Sequence, residues 1–274
     1  MSTSALSPAD HHAAVAAETA RFVAAVKGAD LTTQVPTCPE WTLGELVRHT
    51  GSAQRWFSAL LRGRIQEPPR SRDVDLRLPD GRDGDDAWAD WLAGSAAEAA
   101  DAFAATAPDT PMWAWGADQH ARFWARRMLF ETLVHRVDAE LALGIRPRVE
   151  RALAVDGVDE FLVNLPYAGL FAPGVAGLRG EGETLRFRST DGDGDWLVRL
   201  RPDGFGLVPD GFGLVPDGFG LVPDGEPAEA DATVRGAAAD LLLLVYGRLP
   251  FDADVLEVAG DRELLARWVA GSRF

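Results

Sequence analysis

The spacing of apolar residues changes partway along the chain, and this change limits the folds that it can adopt. Between Pro8 and Gly144, apolar residues recur at helical intervals in four segments. After about Pro173, the segments LRFRST and DWLVRLRP alternate apolar and polar residues around the turn-rich sequence DGDGD, which is typical of a β-hairpin. We therefore predict an α+β fold, with a four-helix bundle in residues 1–150 and a small α/β domain in residues 151–274.

The predicted helices have recognisable ends. The first runs from Pro8 to about Lys27, and the second starts after Thr42, which forms a capping-box pattern with Glu45 and continues to about Leu61. The others span about 87–105 and 119–143, and a loop rich in Pro, Gly and charge precedes the third helix. Near the carboxyl end, ADLLLLVYGR and DRELLARWV predict helices on either side of a short strand, VLEVAG.

A tandem repeat of the unit PDGFGLV occupies residues 202–225. Its proline and two glycines per unit exclude a continuous helix, and its period of seven is too short for a solenoid module. We interpret each unit as a Pro-Asp-Gly turn followed by an extended Phe-Gly-Leu-Val segment. A duplication tolerated in a surface loop is favoured over a repeat that binds a ligand.

Charge and cysteine content exclude several classes of function. With 42 acidic and 27 basic residues, the formal net charge of −15 disfavours nucleic acid as a partner. The start of the chain has no basic segment followed by an apolar run, and LLLLVY is too short to cross a bilayer, so we expect a cytoplasmic protein without a membrane partner. Cys38 is the only cysteine, so a bound metal would need histidine and carboxylate ligands.

Several polar side chains of the second and fourth predicted helices are candidate metal ligands. Glu131, His135 and Asp138 are spaced to lie on one stripe of a helix, next to its predicted buried face. Glu131 and His135, on successive turns, can reach one cation. His49 is the one other histidine placed mid-helix beside an apolar face. Spacing alone leaves two alternatives open: a site formed by these two histidines and Glu131, or ordinary polarity on helix surfaces.

Four stretches of the chain resemble one known family. VPTCPEWTLGELVRHTG, residues 35–51, and ARFWARRMLFETLVHRVDAEL, residues 121–141, are similar to the mycothiol-dependent maleylpyruvate isomerase family. ADATVRGAAADLLLLVYGRLP and VLEVAGDRELLARW resemble the small second domain of that family. The resemblance covers nearly the whole chain, and it implies a DinB-like bundle in which His49, Glu131 and His135 hold a divalent metal, usually zinc.

The resemblance also implies a thiol-using enzyme. The family uses mycothiol, a cytosolic thiol of actinobacteria, so we expect a mycothiol-dependent isomerase or S-transferase that acts on a small electrophile, including dicarboxylic acids. Three ligands leave a tetrahedral metal one open position, where a thiol loses its proton. The expected partners are this thiol and a small-molecule substrate, and the expected state is a monomer or homodimer. A non-catalytic metal-binding or regulatory module and a metal-dependent hydrolase that uses bound water are the alternatives.

Two other polar residues, Arg248 and Asp138, have two interpretations each. Arg248 matches an arginine that in the family helps to bind an anionic substrate, but it could instead complement the end of a helix. Asp138 either accepts a proton from a ligating imidazole or pairs with a nearby arginine. Cys38, in a turn before a helix, is expected to pack rather than to react. Five tryptophans are expected to pack in the core or line the pocket: Trp41, Trp56, Trp113, Trp115 and Trp124.

Overall fold

A computed structural model gives the structure of residues 6–70, 74–80, 86–208 and 230–273. The chain divides into two compact units, with the boundary between Arg148 and Val149. The first unit is helical and the second contains a β-sheet, which confirms the predicted α+β class. Among the described residues, no helix combines the length and the apolar character needed to cross a membrane.

Where the first unit is described, it contains four helices: α1 (Pro8–Val26), α2 (Leu43–Gly63), α3 (Ala87–Ala105) and α4 (Ala121–Ala142). Helices α1 and α2 each pack against both α3 and α4. All four contribute apolar side chains to one core cluster, which includes Phe22, Val26, Leu43, Leu46, Val47, Leu92 and Ala139. The predicted four-helix bundle is therefore confirmed, and the predicted helix ends differ from the observed ones by only a few residues.

A capping box defines the start of α2, and a glycine follows the end of α4. At the start of α2, the N–H of Glu45 donates to Oγ1 of Thr42 at 3.3 Å, and the N–H of Thr42 donates to Oε2 of Glu45 at 2.7 Å. This is the predicted capping box. Beyond α4, Gly144 has φ +69°, a left-handed conformation that glycine adopts without steric strain.

Helix α4 is buried around nearly its whole circumference, so the predicted division into an apolar stripe and a bordering polar stripe is wrong. Arg136, Asp138 and Glu140 are all buried. Nε of Arg136 donates to Glu18 at 2.8 Å, and Nη1 donates to Glu140 at 2.6 Å. Buried charges are tolerated where charged partners supply the hydrogen bonds, and apolar periodicity does not reveal such pairs.

The second unit begins with a helix that we did not predict from the sequence, α5 (Arg151–Asn164), followed by two short 3₁₀ helices, Leu165–Leu170 and Pro173–Gly177. Acidic and apolar side chains are buried together on α5, including Asp156 and Glu160. A helix without a purely apolar face lacks the periodicity on which sequence prediction relies.

In the described residues, five strands form a mixed sheet: β1 (Thr184–Ser189), β2 (Asp195–Arg201), β3 (Gly204–Leu207), β4 (Ala232–Gly236) and β5 (Glu257–Gly260). Their order in the sheet is β3-β2-β1-β4-β5. Strands β1 and β4 are parallel, and all other neighbours are antiparallel. The predicted β1–β2 hairpin and the predicted β5 strand between two helices are confirmed, whereas β4 was not predicted. The two helices on either side of β5 are α6 (Ala238–Val245) and α7 (Arg262–Gly271).

The first copy of the PDGFGLV repeat supplies strand β3. Pro202 and Asp203 connect it to β2, with which β3 pairs in antiparallel register. Phe205 packs edge-to-face on Trp268 of α7, with ring centroids 5.2 Å apart. The turn-and-strand interpretation is confirmed for this copy, while the remainder of the predicted repeat loop, residues 209–225, lies outside the described residues.

The substitution Gly51→Ala should destabilise the bundle, because the new Cβ would overlap the ring of Trp91. Nε1 of Trp91 donates to the carbonyl of Leu76 at 2.8 Å, and the guanidinium of Arg55 lies 5.1 Å from the ring centroid. Because these contacts hold the ring, we expect an overpacking cost of about 1–3 kcal/mol and a fall in melting temperature of several degrees. Gly94→Ala, whose Cβ would make an ordinary 3.6 Å contact with Arg55, is the control. Equal melting temperatures for the two variants would contradict this packing.

Candidate metal centre

Glu131 lies at the centre of a cluster of three side chains from α2 and α4. Its Oε1 lies 3.0 Å from Nε2 of His49 and 3.4 Å from Nε2 of His135. One ligand atom from each of the three residues lies within 4.8 Å of the other two. In the described part of the chain, no other group of three or more His, Cys, Asp or Glu side chains comes this close together.

Helix geometry and helix packing together create the cluster. Glu131 and His135 are four residues apart on α4, so their side chains lie on the same face one turn apart. His49 comes from α2, which packs against α4. The two imidazole rings meet edge-to-face, with centroids 4.9 Å apart. Residues that are far apart in the sequence thus converge at one point in the bundle.

Two of the three separations between donor atoms are close to those around a tetrahedral zinc ion, and the separation between the two imidazole nitrogens is at most 4.8 Å. Ligands about 2.1 Å from such an ion lie about 3.4 Å from each other, and the distances from Glu131 Oε1 to the two imidazole nitrogens are 3.0 and 3.4 Å. Two imidazoles and one carboxylate are common zinc ligands, and three protein ligands leave the fourth position open. The side chains of His49 and Glu131 are 39% and 25% exposed, so a small molecule can reach them from solvent.

Glu131 is ionised at neutral pH. Burial opposes its ionisation, but hydrogen bonds with His135 and His49 and the charge of Arg127 hold the pKa of Glu131 well below its usual range. Nη2 of Arg127 lies 3.4 Å from Oε2 of Glu131. The two carboxylate oxygens therefore face different partners, with Oε1 toward the imidazoles and Oε2 toward the arginine.

Asp138 contacts His135 on the side of the ring that faces away from Glu131. Nδ1 of His135 lies 3.0 Å from Oδ2 of Asp138. Burial alone would lower the pKa of His135, but its hydrogen bonds with Asp138 and Glu131 outweigh burial and raise that pKa above the usual value. In the neutral ring, a proton on Nδ1 donated to Asp138 leaves the lone pair of Nε2 directed at the cluster, as a metal ligand requires. The structure shows this contact of Asp138 with the imidazole, and the role of Asp138 at a bound metal stays a prediction.

Of the five tryptophans considered, Trp41 borders the cluster. Its ring centroid lies 4.7 Å from that of His49 and 5.9 Å from that of His135. The other four pack among aromatic side chains of the bundle, in the pairs Trp56–Trp124, Trp113–Trp124 and Trp115–Phe123. The partly exposed side chain of Trp41 therefore packs beside both histidines of the cluster.

Arg248 and Cys38 lie in different parts of the fold. Arg248 belongs to the second unit, and its Nη1 donates to the carbonyl of Tyr246 at 2.7 Å, at the end of α6. This contact matches the helix-end interpretation, and the role of Arg248 in substrate binding stays a prediction. Cys38 packs against the bundle core, and its Sγ lies 3.8 Å from Oδ2 of Asp138.

Two residues next to the cluster, Arg127 and Thr37, are not predicted from the sequence. Arg127 precedes Glu131 by four residues, and this i,i+4 pairing on one helix is the signal that could have identified it. Thr37 donates from Oγ1 to Oδ1 of Asp138 at 2.6 Å, although 101 positions separate the two residues. No local spacing pattern connects residues so distant.

Comparisons with known proteins agree with this architecture. The family model described as the mycothiol maleylpyruvate isomerase N-terminal domain matches residues 12–140, and that of the corresponding C-terminal domain matches residues 152–267. The crystal structure of a mycothiol-dependent maleylpyruvate isomerase shares the fold over 94% of this chain and 96% of its own, with TM-score 0.57 and 14% identity. A histidine-to-alanine mutant of that isomerase gives the same coverage and identity, with TM-score 0.58. No curated protein matches the chain. The matches to both domain models show that the chain belongs to the mycothiol-dependent maleylpyruvate isomerase family.

Proposed function

We propose that this protein is a metal-dependent enzyme that uses mycothiol to isomerise, or to transfer the thiol to, a small electrophile. The observation that carries the proposal is the convergence of His49, Glu131 and His135 within 4.8 Å. Membership of the family supports thiol dependence. The maleylpyruvate named for the related crystal structure is the first candidate substrate.

Nε2 of His49, Oε1 of Glu131 and Nε2 of His135 would hold the metal, and zinc suits this donor set. Such an ion would supply Lewis acidity that favours the thiolate form of a thiol at the open position. The carboxylate of Glu131 reduces the net positive charge of the site. Asp138 orients the ring of His135.

The nucleophile in this proposal comes from the cosubstrate. Cys38 is the only cysteine of the chain, and it packs against the bundle core and does not belong to the metal cluster. The sulfur of mycothiol would add to an electron-poor carbon of a double bond, and the π electrons would move toward the conjugated carbonyl. Rotation about the resulting single bond and loss of the thiolate restore the double bond as the trans isomer. If the enolate carbon instead takes up the proton that the thiol released, the thiol stays attached and the product is a thioether, as for a transferase.

Mass spectrometry and chromatography of the reaction products test this function. Zinc-loaded protein is incubated with mycothiol and maleylpyruvate, and then with other unsaturated or electrophilic acids in place of maleylpyruvate. We expect an isomer or a thioether that forms only when both metal and thiol are present. Thiol-independent hydrolysis would indicate the bound-water alternative, and unchanged substrates throughout the panel would indicate a non-catalytic module.

Zinc affinity should fall as the pH is lowered, because zinc and protons compete for neutral imidazole. Despite burial, hydrogen bonds with Asp138 and Glu131 raise the pKa of His135 above its usual value, which is about 6.5. At pH values well above this raised pKa, His135 is neutral and the zinc affinity should not depend on its protonation. Below that pKa, protonation of His135 alone should lower the zinc affinity about tenfold per pH unit. Glu131, whose pKa lies well below its usual range, adds no slope near neutrality. Chelator competition between about pH 5.5 and 8.5 measures this effect, and a constant affinity would contradict ligation by His135.

A further inference from the structure

The turn that precedes α2 makes hydrogen-bonding contact with the candidate metal centre through Asp138. Oγ1 of Thr37 donates to Oδ1 of this carboxylate at 2.6 Å, and Sγ of Cys38 lies 3.8 Å from Oδ2. Oδ2 also lies 3.0 Å from Nδ1 of His135. Asp138 is fully buried, so it cannot exchange these partners freely for water. A continuous chain of contacts therefore links Thr37, Asp138 and His135.

The backbone of this turn holds Thr37 in place. The N–H of Val35 donates to the carbonyl of Trp41 at 3.0 Å, and the N–H of Trp41 donates to the carbonyl of Cys38 at 2.8 Å. The N–H of Cys38 donates to the carbonyl of Val35 at 3.1 Å, which closes the turn on itself. The same turn carries the Trp41 ring that packs beside the two histidines. Its conformation is thus tied to the positions of both imidazoles.

We propose that Thr37 is a positioning residue of the metal centre, acting through Asp138 to hold His135 with Nε2 directed toward Glu131 and His49. The inference rests on the proposed function, since it assigns Thr37 to the same site. Without the hydroxyl, the carboxylate loses this donor and can rotate about its terminal torsion to recover other hydrogen bonds. The imidazole of His135, which contacts this carboxylate through Nδ1, would then lose its fixed orientation. Groups that orient a ligating histidine typically change metal affinity by about 10–100-fold.

Zinc dissociation constants of variants, measured by chelator competition at fixed pH, test this inference. Thr37→Val should raise the constant about tenfold, and Thr37→Ser, which keeps the hydroxyl, should stay within about threefold of the unmodified protein. Thr106→Val is the matched control, because it removes a buried hydroxyl that donates to the carbonyl of Leu61 at 3.2 Å. Leu61 lies about 18 Å along α2 from His49, so zinc affinity should not change.

A double-mutant cycle separates action through Asp138 from a general loss of structure. Asp138→Asn should weaken zinc binding by itself, and adding Thr37→Val should then have no further effect. Additive losses, or a Thr37→Val affinity equal to that of the unmodified protein, would overturn the inference. Thr37→Ala, compared with Thr37→Ser, gives the same test if the valine variant does not fold. If the unmodified protein itself binds no zinc, the proposed function fails and this inference fails with it.

Discussion

Replacing His135 or His49 with alanine should remove the metal and, with it, the thiol-dependent activity. Each substitution deletes one of three ligands, and a two-ligand site holds zinc far more weakly. We expect metal content to fall from about one ion per chain to under about 0.1, and turnover to fall by at least about a hundredfold. Elemental analysis of purified protein and product assays with saturating thiol measure the two effects.

A third histidine of the bundle provides the matched control for these variants. Nδ1 of His120 lies 2.6 Å from Oδ1 of Asp118, and His120 does not belong to the metal cluster. His120→Ala should therefore keep both metal and activity. Full metal occupancy in the alanine variants of both His49 and His135 would show that the ion, if present, binds elsewhere.

Glu131→Gln should weaken metal binding and lower thiol-dependent turnover by about a hundredfold, because it keeps the shape of the side chain but removes its charge. Oε1 of Glu131 lies within 3.4 Å of both imidazole nitrogens, and Arg127 faces its other oxygen, so the amide would also remove the negative charge that faces this guanidinium. With excess zinc, the site carries one more positive charge. The pH profile of the remaining activity should then shift toward lower pH, because a more positive site acidifies a thiol further.

Glu98→Gln is a suitable control for this variant. The side chain of Glu98 is 19% exposed, close to the 25% of Glu131, and it pairs with Arg55 rather than with the histidines. This control should lose stability but keep the pH profile and zinc affinity. If zinc-saturated Glu131→Gln keeps both full activity and an unshifted profile, Glu131 is not a ligand.

The sequence predicts the bundle well because α1, α2 and α3 each combine buried apolar residues with exposed polar ones, so helical periodicity is visible. Helical periodicity does not show which residues are buried where charged side chains lie inside the fold. In α4, Arg136 is fully buried against Glu18 and Glu140, and in α5 the carboxylates of Asp156 and Glu160 lie inside. Such residues look like solvent-facing positions in a sequence. Their burial depends on partners from other segments, which no local pattern identifies.

In the candidate site, too, some residues are predictable from the sequence and others depend on the tertiary fold. Glu131 and His135 are predictable as a pair, because four residues of one helix bring them to the same face. His49 is the one other histidine placed mid-helix beside an apolar face, but spacing alone leaves open whether it joins this pair or belongs to an ordinary polar helix surface. Thr37 reaches Asp138 through the tertiary fold alone. Local geometry thus pairs two of the three proposed ligands, and helix packing brings the third to them.

A thiol titration of cobalt-substituted protein tests the central claim most directly. Cobalt(II) replaces zinc in tetrahedral sites, and its absorption spectrum reports both the geometry and the ligands of the ion. The account predicts one tetrahedral cobalt per chain and a thiolate-to-cobalt charge-transfer band that grows and saturates as mycothiol is added, and that is absent in His135→Ala. An octahedral spectrum that thiol leaves unchanged, or an identical band in His135→Ala, would contradict a thiol-binding metal centre at His49, Glu131 and His135.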